Sequence, residues 1–231
     1  MKTIGMIGGM SWESSIEYYR IINQTVRARL GGLHSAKSIM VSVEFAEIEA
    51  LQHQNQWDEL ATIMIDAARS LERGGADFVI ICTNTMHKLY DDVQNAIDIP
   101  MLNIADATAA RIKADGIDRV ALLGTRFTME EDFYKGRLKD RFGLDVIIPA
   151  KDEMEIVHGV IYDELCAGMI KPDSKQKYAA IIRRLISTGA RGIILGCTEI
   201  GLLVKPEDSS VPLFDTAEIH AQAAVRYALT E

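Results

Sequence analysis

Gly75-Ala76-Asp77-Phe78-Val79-Ile80-Ile81 combines a helix-stopping glycine with a run of apolar, β-prone residues, and it returns 114 residues later as Gly189-Ala190-Arg191-Gly192-Ile193-Ile194-Leu195. Two further pairs follow the same rule. Ile4-Gly5-Met6-Ile7-Gly8 matches Val120-Ala121-Leu122-Leu123-Gly124 at an offset of 116, and Ile99-Pro100-Met101-Leu102 matches Val211-Pro212-Leu213-Phe214 at an offset of 112. Glycine-alanine before a strand is common in parallel α/β proteins, so any one match is cheap. Three matches in the same order at nearly the same offset predict two copies of one α/β unit, each of about 115 residues. Open α/β sheets place ligands at strand C-termini, so two facing copies predict a bilobal molecule with its site in the cleft between the lobes.

Outward from these segments, short β-prone runs at 3–8, 38–45, 77–82, 101–104, 119–124, 144–148 and 192–196 alternate with longer amphipathic stretches. That alternation is the pattern of parallel sheets crossed by helices. The stretches 57–74 and 174–189 carry helical periodicity and stop at glycine.

Composition narrows the function. The 231 residues hold 25 Lys+Arg against 33 Asp+Glu, a formal charge of −8, which argues against nucleic acid or an anionic membrane surface as partner. With 48% apolar residues and five prolines the chain can bury a full core. No apolar run reaches the roughly 18 residues that span a bilayer, and the start does not read as a signal peptide, so a cytoplasmic protein is expected. The three cysteines, Cys82, Cys166 and Cys197, form no CxxC pair, and the five histidines have no HxxxH or HxH spacing. Neither a disulfide framework nor a metal site is predicted.

The middle repeat, extended past its strands, sets Thr83 opposite Cys197, each at the tip of a hydrophobic strand. Side chains alternate along a strand, so Cys82 points into the packing when Thr83 points out of it. Cys197 stands at a strand-to-helix turn, where a thiol of pKa about 8.5 is readily tuned for acid/base or nucleophilic work. A buried cysteine is more often an inert packing residue, and Cys166, in the apparent helix 161–167, reads that way. His87 reads equally as a capping, supporting or catalytic group. The turn Gly5-Met6-Ile7-Gly8-Gly9-Met10-Ser11 lacks GxGxxG spacing and no GK[ST] follows, which disfavours a nucleotide. Its amides, ahead of the amphipathic run 14–30, offer a carboxylate or phosphate site. Thr125 and Arg126 lie in the matching turn of the second half.

Three motifs, Ile7-Gly8-Gly9-Met10-Ser11-Trp12-Glu13-Ser14, Asn84-Thr85-Met86-His87 and Gly196-Cys197-Thr198-Glu199-Ile200, resemble those of the cofactor-independent aspartate/glutamate racemases, and within them the broad-specificity amino-acid racemases of enteric bacteria. The resemblance spans essentially the whole chain. It implies two pseudo-symmetric α/β lobes, residues 1–104 and 105–211, with 212–231 packing back on the first, and a homodimer. It also implies chemistry with no cofactor: two thiols on opposite faces of the substrate Cα, each base in one direction and acid in the other. The second thiol falls on Cys197. The first falls on Thr83, a departure, since a hydroxyl is a far weaker acid than a thiol. Substrate contacts carried over are Met10, Gln52, Thr83, Asn84, Thr85, Thr125, Thr198 and Glu199, with Asn84, Thr85 and Thr198 on the α-carboxylate.

The expected activity is racemisation of L-aspartate, L-glutamate and a wider amino-acid set, with Cys197 removing the α-proton and reprotonation arriving near Thr83. No Lys or Arg occurs in 43–55 or 152–170, which favours tolerance toward side chains other than dicarboxylates. Two other readings stay open: a one-cysteine decarboxylase or maleate-type isomerase of the same superfamily, and a non-catalytic amino-acid-binding protein.

Overall fold

The computed structural model describes residues 1–230 as an α/β protein with two four-stranded parallel sheets. The chain divides into two compact units, residues 1–104 with 220–230, and residues 105–219. The first unit runs β1 (Ile4–Gly8), α1 (Trp12–Leu30), β2 (Ser38–Ser42), α2 (Phe45–His53), α3 (Trp57–Arg73), β3 (Phe78–Ile81), a 3-10 turn (Thr85–Leu89), α4 (Tyr90–Gln94) and β4 (Met101–Leu102). From α5 (Ile104–Ala114) the chain enters the second unit: β5 (Arg119–Gly124), α6 (Arg126–Glu130), α7 (Asp132–Phe142), β6 (Asp145–Ile147), α8 (Lys151–Asp163), a 3-10 turn (Leu165–Ala167), α9 (Pro172–Ser187), β7 (Ile193–Gly196), α10 (Ile200–Leu203) and β8 (Leu213–Asp215). Helix α11 (Thr216–Ala228) begins in the second unit and ends in the first. Among the described residues, no helix is long and apolar enough to cross a membrane.

The strand orders are β2-β1-β3-β4 and β6-β5-β7-β8, the same wiring twice. The repeat holds at the level of single backbone hydrogen bonds. Asp77 N donates to Thr3 O and Arg191 N to Arg119 O, both at 2.9 Å. Val79 N donates to Pro100 O and Ile193 N to Pro212 O, again both at 2.9 Å. Ile81 pairs with Ile7 as Leu195 pairs with Leu123. Strands β1, β3 and β7 are buried throughout and β5 nearly so, because helices cover both faces of a parallel sheet. Helix α3 lays Leu60, Met64, Ala67, Ala68 and Leu71 into the first core, and α9 does the same in the second with Tyr178, Ile181, Ile182 and Leu185.

Three expectations shift. The run 38–45 stops as a strand at Ser42, because the Glu44 carboxylate accepts from Ala46 N and Glu47 N and so starts α2. Residues 161–167 are not one helix: α8 ends at Asp163 and the backbone breaks at Glu164 before the 3-10 turn that carries Cys166. Residues 212–219, expected to join the first lobe, stay with the second, because β8 completes its sheet on β7 and Asp215 Oδ1 caps α11 through Ala217 N and Glu218 N. The return to the first unit starts at His220.

Candidate active site

In the first unit the sequence-predicted residues gather at the C-terminal edge of the sheet. Gly9 follows β1 with φ +92°, and a side chain there would strike the backbone of Val43, so only glycine lets the turn lie against the end of β2. Its amide is already used: Gly9 N donates to Ser15 Oγ at 2.8 Å in a buried contact, and Ser15 Oγ donates to Ser11 O. That amide is therefore structural rather than the anion donor expected from the glycine-rich turn. Met10 and Met86 share the apolar cluster beneath this edge, and Gln52, buried on α2, donates to Met86 Sδ at 3.1 Å.

Cys82 and Thr83, expected at the tip of a strand over 77–82, lie just past it, since β3 ends at Ile81. Cys82 is 1% exposed and burial pushes its thiol far above the ordinary range, whereas Thr83 beside it is half-buried. Asn84 and Thr85 are buried as they enter the 3-10 turn. His87, which the sequence read equally as a capping, supporting or catalytic group, uses both ring nitrogens: Nδ1 lies 2.7 Å from Thr83 O, and Nε2 accepts from Ile104 N at 3.1 Å. A carbonyl only accepts, so Nδ1 carries the proton and the ring is neutral.

The second unit presents its residues at the equivalent edge. Thr125 caps α6, accepting from Thr128 N, and its hydroxyl meets Thr128 Oγ1 at 3.1 Å. Cys197 follows β7 directly, at the position matching Thr83 in the first sheet. Its thiol donates to Glu199 Oε2 at 2.9 Å, and Thr198 Oγ1 donates to the same oxygen at 2.8 Å. Burial first, and the Glu199 carboxylate next, hold the Cys197 thiol protonated well above its usual range. The direct contact between Glu199 and the thiol was not anticipated; the short sequence separation was the available signal. Tyr178, also unforeseen, is fully buried nearby, its hydroxyl donating to Val157 O.

Such a chain, two like-wired parallel sheets whose matching strand ends carry a hydroxyl in one and a thiol paired with a buried carboxylate in the other, has the make-up of a small-molecule enzyme that moves protons. Comparison with known proteins makes the class specific. Residues 7–224 match the model of the Asp/Glu/Hydantoin racemase family, and the chain belongs to that family of isomerases. It is 30% identical over 171 residues to the broad specificity amino-acid racemase RacX of Bacillus subtilis (strain 168), covering 73% of this chain and 72% of that protein. Among solved structures, a candidate Asp/Glu racemase from Yersinia pestis aligns over 100% of both chains with TM-score 0.93 and 54% identity. An aspartate racemase homologue from Pyrococcus horikoshii OT3 aligns over 100% of both chains with TM-score 0.86 and 38% identity.

Proposed function

We propose that this protein racemises amino acids without a cofactor, acting on L-aspartate and L-glutamate and extending to other side chains, with Cys197 as the base toward the L-enantiomer. The observation that carries the reading is the Cys197 thiol donating to the buried Glu199 carboxylate at the end of β7. A thiol held protonated needs an acceptor before it can act as a base, and Glu199 is that acceptor. The thiol proton passes to Glu199 and from there to solvent, the thiolate takes the α-proton and so becomes a thiol again, and the planar carbanion receives a proton on its opposite face near Thr83. The Thr83 hydroxyl or a water it holds delivers that proton and is reprotonated from solvent. Asn84, Thr85 and Thr198 bind the α-carboxylate and so steady the carbanion, while Met10, Gln52 and Thr125 complete the contacts. Membership of the racemase family and the likeness to a broad specificity racemase support both the reaction and the breadth of substrate. The reading includes two lobes, a homodimer and a cytoplasmic location.

Proton NMR of an amino-acid panel in deuterated buffer tests it, wild type beside Cys197→Ser. Loss of the Cα signal and appearance of the other enantiomer, both abolished in the variant, are expected. Binding without exchange would leave the amino-acid-binding reading. A second reaction is favoured by the single thiol at the paired strand ends: decarboxylation of a malonate, or isomerisation of maleate. Release of CO2 or loss of an alkene signal identifies it.

A further inference from the structure

The duplicated scaffold contains its own control. The offset that matches Thr83 to Cys197 matches His87 to Gly201, and the two positions are filled in opposite ways. In the second unit a side chain at Gly201 would meet the Asp215 carboxylate, which is itself engaged by Ala217 N and Glu218 N, so a ring there would have to displace that cap. In the first unit the buried imidazole of His87 spans from the Thr83 carbonyl to the first amide of α5, at 2.7 and 3.1 Å. The carbonyl of Cys197 is bonded instead by a local amide, Ile200 N at 3.1 Å.

The segment that His87 grips is braced by other rings as well. His220 Nε2 lies 3.0 Å from Leu102 O, and the Tyr18 hydroxyl lies 3.0 Å from His220 Nδ1. Tyr90 donates to Met101 O at 3.0 Å, and the His87 and His220 rings meet edge to face at 5.6 Å. Three buried or half-buried rings thus fasten residues 101–104, and His87 is the one whose other ring nitrogen reaches the Thr83 carbonyl. Dense packing leaves such an anchor little play, whereas a loop hydroxyl without one samples many positions.

We infer that His87 is a positioning residue for the Thr83 half of the reaction, its Nδ1–H holding the Thr83 main chain at the angle from which a proton reaches the substrate. This rests on the racemase reading above. A weak acid depends on placement, and a misplacement of about 1 Å costs on the order of 100-fold. Cys197, with no imidazole behind it, is unaffected.

The test separates the two faces of the reaction. Exchange of the L-enantiomer in deuterated water without inversion reports Cys197; inversion reports Thr83. Asparagine places an amide nitrogen close to the imidazole Nδ1 position, and glutamine reaches the Nε2 position instead. His87→Asn is expected to keep the wild-type ratio of inversion to exchange within about threefold, and His87→Gln and His87→Ala to lower it roughly 10- to 100-fold with exchange nearly unchanged. Inversion and exchange falling together in all three variants, an unchanged ratio in His87→Ala, or His87→Asn behaving as His87→Gln would each overturn the inference. Should His87→Ala fail to fold, the asparagine and glutamine pair decides. A wild type that neither exchanges nor inverts any amino acid overturns the racemase reading itself, and this inference with it. Active wild type with an unmoved ratio overturns this inference alone.

Discussion

Thr83→Cys puts a thiol where the second sheet already has one. The immediate surroundings set its acidity. Cys82 is sealed in the core and its thiol is pushed far up, but position 83 is half-buried, so a thiol there keeps solvent contact and stays nearer the ordinary value of about 8.5. A hydroxyl is a far weaker acid than a thiol, by about seven units. At about 1.4 kcal/mol per unit, that is on the order of 10 kcal/mol if a full alkoxide formed. Proton delivery in the transition state uses part of this difference, and positioned acid/base groups contribute about 100- to 10,000-fold. Inversion should therefore rise at least tenfold, within a ceiling of about 10,000-fold, while exchange of L-aspartate or L-glutamate by Cys197 stays within about twofold. Enantiomers have equal free energy, so kcat/KM must rise equally in both directions. Loss of the Cα proton signal in deuterated water measures exchange, and chiral chromatography measures inversion. A variant that melts as the wild type and exchanges normally, yet inverts no faster, would refute the assignment of Thr83 as the weak partner.

Two predictions concern the scaffold. Gly9→Ala meets both a positive φ and the Val43 backbone, whereas Gly143→Ala, in the left-handed region at φ +63° with nothing within 4 Å, meets only the first. Gly143→Ala should cost about 1 kcal/mol and Gly9→Ala at least about 3, read as melting shifts of roughly 2–4 °C per kcal/mol; equal shifts would sink the close-approach argument. His220 is neutral, its pKa pushed by burial from 6.5 down to about 3. Between those values the unfolded chain binds a proton that the folded chain does not, so stability conferred at neutral pH is lost as pH falls through that window. Urea unfolding at pH 7 and pH 5 should show wild type losing roughly 2 kcal/mol more than His220→Gln, which keeps a donor for Leu102 O; matching losses would count against the assignment.

Much of the architecture is legible in local pattern. The Gly75 and Gly189 segments announced the repeat because each carries a helix stop and a buried strand, features set within a few residues. Strand β8 went unread as a strand, being three residues long, although its match to Met101-Leu102 lay in the repeat. The buried Cys82 beside the half-buried Thr83 agrees with the alternation expected of a strand, although both lie just past the end of β3. The strand end at Ser42 and the break at Glu164 depend on where a cap forms and where a helix ends, which composition does not dictate.

Sequence alone determined the duplicated α/β wiring and the matching of Thr83 with Cys197, because hydrophobic period and motif spacing are properties of neighbouring residues. Tertiary structure decided how those positions are held. The Cys197 thiol turns onto Glu199 only in the conformation that follows β7. His87 reaches Ile104 across 17 residues, and His220 reaches Leu102 and Tyr18 across 118 and 202. A buried imidazole must find partners for both nitrogens, and which partners it finds is settled by packing between distant segments, not by the residues beside it in the chain.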